Sequence, residues 1–206
     1  MKTTLLLALL TSSISGCGQG QSYTNKPLGG PCEDCKLMFD GIPSQLTFTT
    51  RLASEDEAGE PLVIRGTIYQ PDGKTPASNI ILYVYHTDNN GLYSKGKNQQ
   101  QGIRHGHLRG WVKTNAQGQY EFRTIRPASY PNSHSPQHIH PIIYEPGKGY
   151  YWIDEYQFDD DPYLTTRERA MAQNRGGSGI IKLTQDSAGV WQGKRDIVLG
   201  LNVNHE

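Results

Sequence analysis

The sequence predicts an all-β protein, an antiparallel β-sandwich with one short helix and long loops. Three observations carry that expectation. Tyrosine (12) and glycine (23) are abundant among 206 residues while hydrophobic content is only 35%, a usage that favours short strands joined by turns. Apolar and polar residues alternate over Leu62–Tyr69, just before the turn residues Pro71-Asp72-Gly73, which is the period of a half-buried strand. Only one helical signature is strong: Thr165-Thr166-Arg167-Glu168 offers a capping box.

The elements follow in chain order. Arg51–Glu60 is polar and acidic and reads as an exposed loop, and Leu62–Tyr69 is the first strand. Ile80–His86, rich in aliphatic and aromatic residues, reads as a buried strand. Trp111–Thr114, the turn Asn115–Gly118 and Tyr120–Ile125 form a hairpin pattern. Further strands are expected at His138–Tyr144, Tyr151–Phe158, Gly179–Leu183 and Val190–Leu201. The helix should run from its Thr165 cap through Ala170–Asn174 and stop at Gly176-Gly177. Adjacent residues of a strand face opposite ways, so Tyr150-Tyr151-Trp152 should divide between core and surface. Arg123, in a strand, is expected to tie down a loop carbonyl or an acidic neighbour.

The N-terminus reads as an export signal. One lysine precedes the apolar run Leu5–Leu10, which is too short to cross a bilayer. Ile14-Ser15-Gly16-Cys17 resembles a bacterial lipobox, so residues 1–16 are expected to be a lipoprotein signal peptide and Cys17 the lipidated residue; an ordinary signal cut near Gly16 is the plainer alternative. Residues 17–35 then form a flexible tether and 36–206 the domain, exported and held at a membrane only by its lipid anchor. In an exported protein, Cys32 and Cys35 of GPCEDCK read as a disulfide staple more readily than as a redox pair. Lysine plus arginine equals aspartate plus glutamate at 20 each, and no basic block stands out, so an electrostatic case for nucleic acid is missing.

The chemistry concentrates in the second half. His138 and His140 lie two apart on an expected strand, so both imidazoles face one side and can converge on a metal. His105-Gly106-His107 has the same spacing, but its glycine and flanking Arg104 and Arg109 read as a mobile cationic loop. Tyr130 lies between Pro127 and Pro131 on a stiff loop, and Tyr93 follows the turn DNNGL. Each tyrosine alone would be ordinary packing. Together, two phenols and two imidazoles suit a hard, high-valent cation, and phenolate favours Fe(3+).

Tyr93 in GLY, Tyr120-Glu121-Phe122-Arg123-Thr124-Ile125 through Tyr130-Pro131, and His138-Ile139-His140 resemble the intradiol ring-cleavage dioxygenases, over roughly Leu62 to Pro162. The resemblance implies Fe(3+) bound by Tyr93, Tyr130, His138 and His140. A catechol would lose both hydroxyl protons and displace a solvent-derived hydroxide and Tyr130. O2 would then open the ring to a muconate-type diacid. Two positions depart from the family pattern: Ser135 stands where an arginine precedes the first histidine, and Glu155 where a glutamine often lines the pocket. Arg104, Arg109 or His134 could supply the missing positive charge, and Arg109, Ser135 and Glu155 are the expected pocket residues. The departures keep two other readings open: a metal-binding sandwich of the same descent with altered chemistry, and a non-enzymatic binding module. The polar loop Ser94–Arg109 points to a substituted or bulky catechol. The oligomeric state is open, a homo-oligomer included.

Overall fold

Short strands joined by turns account for most of the chain in the computed structural model, which describes residues 23–204. Cys17 and residues 1–16 lie outside the described residues. The strands are β1 (Thr49–Arg51), β2 (Pro61–Tyr69), β3 (Ile81–Tyr85), β4 (Arg109–Lys113), β5 (Gln119–Ile125), β6 (His138–Glu145), β7 (Gly149–Trp152) and β8 (Tyr156–Phe158). Helix α1 (Thr166–Met171) precedes β9 (Ile180–Ile181), β10 (Leu183–Gln185), β11 (Trp191–Lys194) and β12 (Ile197–Val198). One sheet runs β1-β5-β2-β11-β10, with β12 also on β2; the other runs β4-β3-β6-β8-β9, with β7 on β6.

The central pairs are antiparallel: β2 with β5, and β3 with β4 and β6. The hairpin expected of Trp111–Thr114 and Tyr120–Ile125 does not form: β4 pairs with β3 and β5 with β2, so the Asn115–Gly118 turn carries the chain from one sheet to the other. Four pairs are parallel: β1 with β5, β11 and β12 with β2, and β8 with β9. Each joins segments separated by long connections, where no tight turn dictates direction.

Several expected elements stop earlier or divide where their backbone or side chains turn to other partners. Gly179–Leu183 is among them, splitting into β9 and β10. The strand expected over Tyr151–Phe158 breaks between Trp152 and Tyr156, because the backbone there turns to other partners: Ile153 donates to Pro141 O and Asp154 to Arg175 O. The Asp154 carboxylate accepts the backbone N–H groups of Asn174 and Arg175 (2.7 and 3.1 Å). That capture also ends α1 at Met171 instead of Asn174. The helix keeps the expected cap, Thr165 Oγ1 accepting the Glu168 N–H at 3.3 Å, but buries no side chain. The last expected strand, Val190–Leu201, divides at Arg195-Asp196, where Asp196 Oδ1 accepts the Thr67 N–H and the Arg195 side chain turns inward over the Tyr156 ring.

The main core lies between the sheets. It joins Leu62, Ile64 and Ile68 of β2, Leu82 and Val84 of β3, Phe122 of β5, Ile139 and Ile143 of β6, and Tyr151 and Phe158. Burying each such side chain stabilises the fold by about 1.5–3 kcal/mol. A second cluster covers the outer face of the other sheet, where Ile81, Tyr83, Trp111, Ile142, Tyr144 and Tyr150 pack against Cys35 and Met38. Tyr150 and Tyr151 therefore do face opposite ways, yet both are buried. The cover is the N-terminal arm. Residues 26–35, expected within a flexible tether, lie along β7: Tyr150 donates to Lys26 O and accepts from Leu28 N. The Trp111 Nε1–H donates to Met38 O at 2.6 Å. Arg123 donates to Glu121 at 2.9 Å, the acidic-neighbour role expected of it. Among the described residues no helix is long and apolar enough to cross a membrane.

Candidate metal centre

The turn after β3 is held by one carboxylate. Asp88 accepts the backbone N–H groups of Asn90 (2.8 Å) and Leu92 (3.1 Å) and the Ser94 hydroxyl, an Asx-type turn that fixes Tyr93. The same turn is laced to the loop carrying Tyr130: Ala128 donates to Asp88 O, and Thr87 Oγ1 donates to Ala128 O at 2.7 Å. His138 and His140 project from one face of β6. The approach to β6 is set by Asp161, whose carboxylate accepts the Gln137 and Tyr163 N–H groups, both at 2.7 Å.

These four side chains meet. Tyr93 Oη lies 2.8 Å from Tyr130 Oη and 2.9 Å from His140 Nε2. Tyr130 Oη lies 3.0 Å from His138 Nε2 and 3.4 Å from His140 Nε2. Donors held about 2.0–2.1 Å from one ion, at tetrahedral to right angles, are themselves about 2.9–3.4 Å apart. The protons also point to a cation. His138 Nδ1 donates to Pro136 O at 2.7 Å, and His140 Nδ1 faces a Glu155 carboxylate oxygen at 3.0 Å. Both outer partners only accept, so both Nε2 atoms carry lone pairs inward. Four close contacts then share the two phenolic protons. The surplus of lone pairs around one point is what a metal ion would satisfy.

Burial raises both phenols above their ordinary range, and each phenol's neighbours modify that shift: Tyr130 pushes Tyr93 higher, whereas the Tyr93 hydrogen bond partly relieves Tyr130. They hold their protons until a cation displaces them. Burial lowers His138, with the nearby Glu155 carboxylate opposing, so the imidazole stays neutral, its ligating form. Burial pushes the Glu155 carboxyl up, but the hydrogen bond from His140, with the two imidazoles beside it, outweighs burial and holds it at about 2. Among the described residues, His138, His140 and Glu155 are the one set of histidine, cysteine and acidic groups close enough to share an ion. Glu155, however, stands on the Nδ1 side of His140, away from the phenols. Tyr85 stacks on the His140 ring (centroids 4.6 Å apart), and His105 stacks on Tyr85 at 3.6 Å.

The centre opens into a cavity of about 540 Å³ lined by Tyr85, Tyr93, Tyr130, His140, Glu155 and Arg104, with Pro31–Cys35 as one wall. Cys32 and Cys35 are joined as a disulfide, their Cα atoms 5.6 Å apart. Two expected pocket residues are elsewhere. Arg109 does not line the cavity: its guanidinium is held by Leu37 O, Asp40 O and Tyr83 Oη and packs over Trp111. Ser135 does not line it either, its hydroxyl bonding Ser133 at 2.7 Å. Arg104 reaches the cavity but is paired with Asp34 at 2.8 Å, and His134 packs edge-on against Tyr163. The HxH of the expected cationic loop diverges: buried His105 bonds Tyr83 Oη at 2.9 Å, while His107 bonds Glu57 at 3.0 Å. Tyr85 was not expected at the site. Its sequence signal is only strand alternation, and its cross-strand partner, His140, is set by the β3–β6 register.

The dioxygenase family model matches residues 39–193. Catechol 1,2-dioxygenase 2 of Acinetobacter lwoffii is 31% identical over 130 residues, 55% of this chain and 46% of that protein. The chain belongs to the intradiol ring-cleavage dioxygenase family. Catechol 1,2-dioxygenase of Acinetobacter baylyi is 27% identical over 169 residues, 70% of this chain and 51% of its own length, so this intradiol dioxygenase chain spans about half of the curated relatives it matches. Two solved structures share its fold. The dioxygenase domain of a dioxygenase–carbohydrate-binding fusion from Streptomyces sp. SirexAA-E has a TM-score of 0.56 at 23% identity, covering 72% of this chain and 85% of that one. Catechol 1,2-dioxygenase from Acinetobacter sp. ADP1 has a TM-score of 0.58 at 22% identity, covering 77% and 58%.

Proposed function

We propose that this intradiol dioxygenase domain is a ferric enzyme that opens a catechol ring with O2 to give a muconate-type diacid. The observation that carries the reading is the meeting of Tyr93 Oη, Tyr130 Oη, His138 Nε2 and His140 Nε2 with only two protons among them. Those four residues would hold the iron. Bound ferric iron supplies Lewis acidity and a template for the two catechol oxygens.

The protein's own contribution is placement and proton handling. Tyr130 lines the cavity on a loop pinned by prolines, separate from the strand that carries the histidines. With its own proton lost on iron binding, its Oη can take the proton of an incoming catechol hydroxyl and, as a neutral phenol, swing aside while its backbone stays fixed. Tyr93 is locked by the Asp88 turn and stays in place. Tyr85 gives the cavity an aromatic wall beside His140, suited to a flat ring. Ser135, tied to Ser133, brings no cation to the site, and that favours a second reading: metal binding without ring cleavage. Iron-loaded protein should be wine-red from phenolate charge transfer and should consume O2 with at least one of catechol, 4-methylcatechol, hydroxyquinol or protocatechuate. Colourless protein that retains no iron after reconstitution overturns the centre itself. Red protein inert toward the whole panel selects the second reading.

A further inference from the structure

We infer that Glu155 is a positioning residue of the metal centre, the carboxylate of a carboxylate–histidine–metal relay through His140. The inference rests on the ferric reading above and adds a residue to it. Glu155 Oε1 lies 3.0 Å from His140 Nδ1, while the opposite nitrogen, Nε2, faces Tyr93 Oη at 2.9 Å. A carboxylate placed so accepts the Nδ1–H, selects one tautomer and fixes the ring plane. The His140 ring is clamped on its face as well, stacked on Tyr85 with 17° between planes. His138 achieves the same end with a neutral partner, Pro136 O. The two imidazoles therefore differ in donor strength: an anion behind His140 makes its Nε2 the more basic.

The break between β7 and β8 is what brings Glu155 there. Ile153–Glu155 leave the strand ladder, Asp154 being held by the 174–175 backbone, and Gly179 packs against Glu155 O. Glutamine at this position keeps an acceptor oxygen but removes the charge. The departure from the family pattern at Glu155 thus tunes the donor behind the metal, and an amide and a carboxylate here are different settings of one device.

The test separates orientation from charge. In metal-free protein, nitrogen-15 NMR should find His140 as the Nδ1–H tautomer, and Glu155→Ala should let the tautomers mix. Ferric affinity, measured by chelator competition, should fall about 10–100-fold in Glu155→Ala and by less in Glu155→Gln. In Glu155→Gln the phenolate charge-transfer band should move to longer wavelength, since a weaker His140 donor leaves the iron more electron-poor. A merely structural role would lower affinity without moving the band. Wild-type affinity and an unmoved band in both variants overturn the inference. So does loss of iron in Glu155→Gln as complete as in His140→Ala, which would make Glu155 a direct ligand. If the wild-type protein takes up no iron, the ferric reading fails, whereas the NMR comparison still judges the hold of Glu155 on His140.

Discussion

Gly91→Ala should loosen the metal centre without touching a ligand. Gly91 has φ +76° and closes the Asp88 turn two residues before Tyr93, its N–H donating to Asp88 O. A methyl group there would overlap the Ser129 carbonyl oxygen and stand 3.0 Å from both the Ser129 carbonyl carbon and Pro131 Cδ. Those are the two residues that flank Tyr130. Holding alanine in the left-handed region costs about 1–2 kcal/mol, and relieving the overlap adds about 1–3 kcal/mol. The two loops must part by roughly an ångström to regain ordinary contact. The phenols they carry are 2.8 Å apart, and metal–ligand distances tolerate only about 0.2 Å. Ferric affinity should therefore fall about tenfold or more, together with about 2–5 kcal/mol of stability. Gly147→Ala is the control: φ is +78° there with nothing within 4 Å of the added carbon. It should lose only the left-handed cost and bind iron as the parent does. Urea denaturation and chelator competition on both variants give the comparison. Gly91→Ala matching Gly147→Ala in both assays would refute the claim that this glycine sets the distance between the tyrosines.

Tyr93→Phe and His140→Ala should each abolish the visible band and lower bound iron toward zero while keeping the circular dichroism of the fold; full iron content in either, by elemental analysis, removes that residue from the ligand set. Stability should also decline in acid through His86. Burial lowers this imidazole to about 4 although the Thr87 carbonyl favours its proton. The unfolded chain thus binds more protons than the folded one below the ordinary value of about 6.5. Stability present at pH 7 should fall by about 3 kcal/mol as pH drops from about 6.5 to about 4, with buried His105 acting in the same direction. His86→Gln, read by urea midpoints at several pH values, should flatten that loss; an unchanged slope would place the acid sensitivity elsewhere.

The sandwich and its central strands were legible because their signals are local. Alternation marks β2, and the spacing of His138 and His140 already puts both on one face, wherever β6 pairs. The four converging residues were legible through the resemblance of their motifs to those of the intradiol dioxygenases. What escaped was long-range. Nothing in Tyr151–Phe158 announces a break, since its cause is an Asp154 carboxylate bonding a backbone twenty residues later. Arg109 looked available because its neighbours are histidines and glycine; its captors, Leu37 and Asp40, come from an arm about seventy residues away. Glu155 was placed near the pocket by sequence, but its hold on His140 needs the β6–β8 pairing to be seen.

The N-terminal arm shows one short stretch answering to two masters. Pro31–Cys35 forms a side of the cavity, while Cys35 and Met38 seal aromatic residues on the back of the sheet. Substitutions that reshape this wall of the cavity are then filtered by whether the rear seal survives. The cavity is accordingly freer to change shape at Met171–Gln173, which also line it, at the end of a helix that buries no side chain.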